Sequence, residues 1–205
     1  MTKHSGGRGK LIALEGTGGR SMAIAVKLLE RNLRRQGTEI GSSVWDASGI
    51  FFQIAQGARG LPAPPPRTLI LLYASDLAFR LRWQIRPALE DGASVIAAPY
   101  LESVIGFGRA AGLSQAWLRR LFEFAPAPDE TYRVPEGTIP VDRRGSPANS
   151  FLEFGFAQLR GGPGSWDIEA IRQNFGAHLD RLELRGKCLP LPPRQTEPAV
   201  IAQTT

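Results

Sequence analysis

Apolar positions along the chain fall into short unbroken runs that alternate with longer amphipathic stretches. The first run, Leu11-Ile12-Ala13-Leu14, leads into Glu15-Gly16, a glycine-rich turn and a helical period over about 21–36. Ala23, Val26, Leu29 and Leu33 lie near one face of that helix, and Gly37 supplies its stop. Residues 38–45 read as a second strand ending at Trp45, and 49–57 as a short helix. The segment Leu61-Pro-Ala-Pro-Pro-Pro66 reads as a stiff connector. A long helix is expected over 67–90, with Leu69, Leu72, Tyr73, Leu77, Leu81 and Ile85 as its apolar side and Pro87 kinking or ending it. Residues 93–98 form a third buried strand, followed by helices over 101–110 and 114–124 and a strand at 130–134. Glycine and proline obscure the pattern over 135–165. A last helix is expected over 167–185. The alternation predicts an α/β fold, a mostly parallel sheet flanked by helices. One domain over 10–188 is expected, between a loose N-terminus at 1–9 and a Pro-rich tail at 189–205.

Composition narrows the classes. A chain of 205 residues with 42% hydrophobic and 21% charged residues suits one globular domain with a sizeable core. A single cysteine, Cys188, excludes an internal disulfide framework and a multi-cysteine zinc site. No stretch approaches the roughly 20 apolar residues of a membrane span, and the polar, glycine-rich start does not read as a signal peptide, so the expected location is cytoplasmic. The net charge of +6 favours anionic partners. Its cations are dispersed, with short clusters at Arg31/Arg34/Arg35, Arg80/Arg82/Arg86, Arg119/Arg120 and Arg143/Arg144, and no nucleic-acid-reading motif accompanies them. His4 and His178 lack metal-ligand spacing and read as surface residues. No G-x-S-x-G nucleophile turn occurs.

The glycine turn carries the first candidate chemistry. A phosphate-binding loop reads G-x-x-x-x-G-K-[ST]; this chain has Gly16-Thr17-Gly18-Gly19-Arg20-Ser21, two residues shorter and with arginine for lysine. A full loop wraps a phosphate in backbone N–H groups, and a planar guanidinium does not simply replace an ammonium there. Three readings stay open: a tight strand-to-helix turn, a weak anion site on the amides of Gly18 to Ser21, and a working ATP cradle. Gly16, Gly18, Gly19, Arg20 and Ser21 are the nucleotide-binding candidates. ATP and magnesium are the implied cofactors if nucleotide binding persists, with Ser21 the candidate magnesium ligand.

The stretch "LILLYASDLAFRLRWQIRPALEDGASVIAAPYLESVIGFG" (69–108) resembles the thymidylate kinase family in order and spacing, above all in "IRPALEDGASVI". "LIALEG" at the front and "APAPDETYRV" over 125–134 extend the resemblance across about 10–135. It implies the P-loop nucleoside-monophosphate kinase fold. It also implies acceptor-side roles for Tyr73 (base stacking), Tyr100, Ser103 and Phe107; Tyr73, on the apolar face of a long helix, reads more often as core, and Tyr100 and Ser103 also read as the start of the following helix.

The family's charged machinery is largely missing. Its loop lysine falls on Arg20, its Asp-Arg before the tyrosine on Ala98-Pro99, and its long-helix arginine on Leu77. The Arg-Glu-Pro stretch falls on Trp45-Asp46-Ala47, and the base-reading glutamine on Gly108. Phosphoryl transfer rests on positioning and charge stabilisation, and one lost donor costs on the order of 3 kcal/mol. The reading is therefore a degenerate relative that acts by binding, to a second copy, another protein or a residual nucleotide. Two alternatives are an active ATP-dependent dTMP kinase with a rebuilt loop, in which Arg20, Arg143 and Arg144 serve catalysis, and a basic nucleic-acid-associated protein. Trp83, Phe79 and Trp117 are the candidate interface aromatics.

Overall fold

The computed structural model describes residues 8–16, 19–57, 64–135, 151–161, 167–183 and 187–188. Five strands form one parallel sheet: β1 (Leu11–Glu15), β2 (Ile40–Val44), β3 (Ser94–Ala98), β4 (Glu130–Arg133) and the two-residue β5 (Lys187–Cys188). Their order is β2-β3-β1-β4-β5. Central strands β1 and β3 are buried along their whole length, which is why they appear in the sequence as unbroken apolar runs rather than as alternation.

Because side chains alternate across a strand, each central strand feeds two cores. Leu11, Ala13, Val95 and Ala97 join the larger core, while Ile12, Leu14, Ile96 and Ala98 join the smaller one on the opposite face. The smaller core is covered by α1 (Gly19–Arg35), through Met22, Ala25, Val26 and Leu29. Ala23, expected on that face, is exposed, because the buried face runs through positions 22, 25, 26 and 29. Gly37 ends the helix at φ +78°, a backbone conformation that costs glycine least, with Thr38 N donating to Leu33 O.

The larger core lies under α2 (Ile50–Gly57), α3 (Pro66–Arg80), α4 (Arg86–Glu90), α5 (Glu102–Ala110), α6 (Gln115–Leu121), α7 (Phe151–Gly161) and α8 (Ile168–Glu183). Between α3 and α4 the helix does not end at Pro87, one of the two outcomes expected there. It widens over Leu81–Ile85 into a π-type turn, where Arg86 N donates to Leu81 O. Pro87 then falls in the first turn of α4, where a missing N–H costs little. Helix α7 lies in the part of the sequence that gave no pattern. Helices α5 and α8 meet at Gly106, where a Cβ would stand 2.7 Å from His178 Cδ2, so only glycine lets them pack this closely.

Among the described residues no helix is long and apolar enough to cross a membrane.

Candidate functional site

In a parallel sheet flanked by helices, ligands bind at the carboxyl ends of the strands. Here β1 ends at Glu15, β2 at Val44 and β3 at Ala98, and buried charges gather around these ends. Glu15 is 1% exposed. Its Oε1 accepts from the backbone N–H of Leu101 (2.9 Å) and Glu102 (3.0 Å), and its Oε2 from Ser103 N (2.9 Å) and Ser103 Oγ (2.5 Å). The first turn of α5, with its orphan N–H groups, is thus filled by a carboxylate of the same chain. Burial pushes the Glu15 carboxyl above the ordinary carboxylate range, against the downward pull of the Ser103 and Glu102 hydrogen bonds.

Gly16 N donates to Ser103 Oγ at 2.9 Å, so that amide is turned into the fold rather than toward a ligand. A Cβ on Gly16 would stand 2.7 Å from Val134 O, which requires glycine at this position for close packing alone. Gly19 begins α1, and Ser21 is buried in its first turn. Arg20 belongs to the same turn by its backbone, while its side chain, Thr17, Gly18, Arg143 and Arg144 lie outside the described residues.

Arg80 is fully buried on α3, and every N–H of its guanidinium is used. Nε donates to Ser43 Oγ (3.0 Å), Nη1 to Tyr73 Oη (3.3 Å) and Pro99 O (3.2 Å), and Nη2 to Ser43 O (2.6 Å) and Pro99 O (3.2 Å). One turn earlier Asp76 is buried too, accepting from Asp46 N (3.0 Å), Ser48 N (2.9 Å) and Ser48 Oγ (2.8 Å). Asp46, at φ +58°, in turn caps α2 through Phe51 N (2.8 Å) and Phe52 N (2.9 Å). Partial burial raises the Asp46 carboxyl, with a smaller upward push from Asp76. These charges are spent on fixing the loop after β2 and the peptide after β3.

The acceptor-side candidates come together, and they do so inside the core. Tyr73, Tyr100, Ser103 and Phe107 are each 0% exposed. Tyr73 Oη lies 2.8 Å from Pro99 O and 2.7 Å from Tyr100 O, and Tyr100 Oη donates to Pro126 O at 2.7 Å. Burial pushes both phenols above their ordinary value, so both remain hydrogen-bond donors. The ring of Phe151, from α7, stands 4.8 Å from Tyr73, 5.6 Å from Phe107 and 5.7 Å from Phe51. Trp45 meets Phe51 at 5.1 Å and Phe154 at 6.1 Å. An aromatic plug therefore fills the space between α2, α3, α5 and α7.

His178, expected at the surface, is 6% exposed between α8 and α5, a correction that follows from its polar partners. Arg109 Nη1 approaches its Nδ1 at 3.4 Å, and because a guanidinium only donates, the ring proton belongs on Nε2, which faces Glu102 Oε2 at 3.2 Å. That hydrogen bond is the main cause holding the Glu102 carboxyl below its ordinary value, with Arg119 adding to it. Glu15, Asp76 and Arg80 were also missed as buried groups. The signal was present for the last two: with Tyr73 they repeat at i, i+3 and i+7, on the apolar face of the long helix. Phe79 and Trp83 are exposed, whereas Trp117 is half-buried under the Arg67 guanidinium at 4.8 Å. Among the described residues no group of three or more His, Cys, Asp or Glu is placed to hold a metal ion.

No protein-family model matches the chain. Curated relatives do. It is 32% identical over 142 residues to a probable thymidylate kinase of Pyrococcus abyssi, covering 60% of this chain and 62% of that protein. It is 30% identical over 121 residues to a probable thymidylate kinase of Pyrobaculum aerophilum (58% and 61%) and 36% identical over 120 residues to a thymidylate kinase of Clavibacter sepedonicus (55% of each). The chain thus spans between about half and three-fifths of the length of these relatives.

Proposed function

We propose that this chain, which belongs to the thymidylate kinase family, acts by binding rather than by phosphoryl transfer. The observation that carries the reading is the ring of Phe151 packed against Tyr73, Phe107 and Phe51. Family resemblance assigns base stacking to Tyr73 and a place near the base to Phe107, and both face a side chain of the same molecule. Trp45, which falls where the family carries an arginine, extends the plug, and Pro99 falls where it carries a second. A monophosphate acceptor would meet aromatic carbon where it needs guanidinium groups.

Partner binding draws support from the outer side of α3 and the wide turn after it. Leu71 (45%), Phe79 (39%) and Trp83 (65%) are exposed there at spacings of eight and four residues. A second copy of the chain is the partner that the resemblance implies. The rival reading, an ATP-dependent dTMP kinase with a rebuilt loop, draws on the names of the relatives.

Thermal unfolding with added ligand separates the two. A ligand at a hundred times its dissociation constant stabilises by about 2.7 kcal/mol, enough to move the midpoint by several degrees. The expected result is no shift with dTMP up to roughly 1 mM, the upper end of common KM values. A midpoint that rises with dTMP concentration would contradict the closed acceptor side.

A further inference from the structure

The exposed side of α1 carries a feature that the nucleotide question does not touch. Lys27, Arg31, Arg34 and Arg35, with Glu30 among them, line a shallow groove of about 470 Å³ over the last turns of the helix. All four cations are exposed. Arg34 is partly engaged, by Glu30 at 3.6 Å and by Ile40 O at 3.3 Å. Lys27, Arg31 and Arg35 have no carboxylate partner among the described residues. Positions 27, 31 and 35 are spaced by four residues, so their charges stand about 6 Å apart along one face and span roughly 12 Å.

We propose that this groove is a docking surface for an extended acidic segment of a partner protein. In an extended chain, side chains on one side recur about every 6.7 Å, close to the spacing of the cations, so alternate carboxylates can meet successive turns of α1. Planar guanidinium groups at 31 and 35 match carboxylates in a bidentate manner. Half-buried Leu28 precedes Arg31 by three residues and Arg35 by seven, on the same side of the helix, and gives an apolar residue of such a segment somewhere to rest. Helix α1 contains no aromatic residue, and so lacks the stacking platforms with which single-stranded nucleic acid is commonly held. The long helix of a second copy offers no match, since the acidic residues there and at its exit are the buried Asp76 and the short pair Glu90-Asp91. This inference stands whether or not the protein turns over nucleotides.

The test is fluorescence anisotropy of the full chain with a labelled Glu-Leu repeat peptide and, in parallel, a labelled single-stranded oligonucleotide, at low and at physiological salt. The double variant Arg31→Ala/Arg35→Ala is compared with Arg82→Ala/Arg120→Ala, which removes the same net charge from exposed positions elsewhere. The expected result is peptide binding that weakens roughly tenfold in the α1 variant, as two exposed ion pairs would allow, and that weakens with salt. Equal weakening in both variants would reduce the effect to net charge and overturn the proposal. Absent peptide binding, or an oligonucleotide held more tightly through Arg31 and Arg35, would overturn it as well.

Discussion

Replacing Phe151 by alanine is expected to destabilise the fold by about 4 kcal/mol, the middle of the range for emptying a buried phenylalanine site. The ring is completely buried and touches aromatic partners on three other helices, Phe51 on α2, Tyr73 on α3 and Phe107 on α5. Two of these partners are fixed independently of α7: Tyr73 is tied by its hydroxyl to Pro99 O and Tyr100 O, and Phe51 sits in the first turn of α2 capped by Asp46. The walls close in little, so the deletion leaves a cavity rather than a collapsed site. Equilibrium urea unfolding measures it. Phe124→Ala, at a site 40% exposed, is the comparison and should cost much less. A Phe151 variant as stable as the parent would show that α7 does not form part of the core, and the acceptor region would then be open.

The second large effect is expected at Arg80. Arg80→Met keeps much of the buried aliphatic stem and removes a guanidinium whose N–H groups all have acceptors. Ser43 O loses its guanidinium donor, and Pro99 O loses two and keeps only the Tyr73 hydroxyl, which it shares with Tyr100 O; each buried group left unsatisfied costs about 1–3 kcal/mol. A total near 3 kcal/mol is expected from urea midpoints. Lysine should rescue little of it, because an ammonium on a flexible stem cannot reach Ser43 and Pro99 at once with the geometry of the planar fork. Full stability in Arg80→Lys would mean that charge alone matters and that the bridging geometry is idle. Since the guanidinium links the end of β2 to the peptide after β3, this residue fixes the shape of the crevice floor rather than reaching into it.

The layering of the fold was legible for a physical reason: strands buried on both faces need continuous apolar runs, and 11–14 and 95–98 have them. Helix α7 was not, because a Gly- and Pro-rich stretch precedes it and hides the helical period. Even so, Phe151, Leu152, Phe154 and Phe156 mark an apolar face once the start of the helix is known. The candidate site was legible as a set of positions and not as a state. Tyr73, Tyr100, Ser103 and Phe107 follow from the resemblance, and spacing cannot say whether such residues line a cleft or fill one. That depends on Phe151, 78 positions beyond Tyr73, which no local pattern connects to it. Glu15 was visible only as the end of a strand, since its four donors lie some 86 to 88 residues away, on the start of α5.

Coupled detection of ADP release from ATP, magnesium and dTMP tests the inward-facing acceptor side most directly. Turnover no faster than ATP hydrolysis without dTMP is the predicted result. A dTMP-dependent rate of about one per second, at the lower end for kinases, would contradict it.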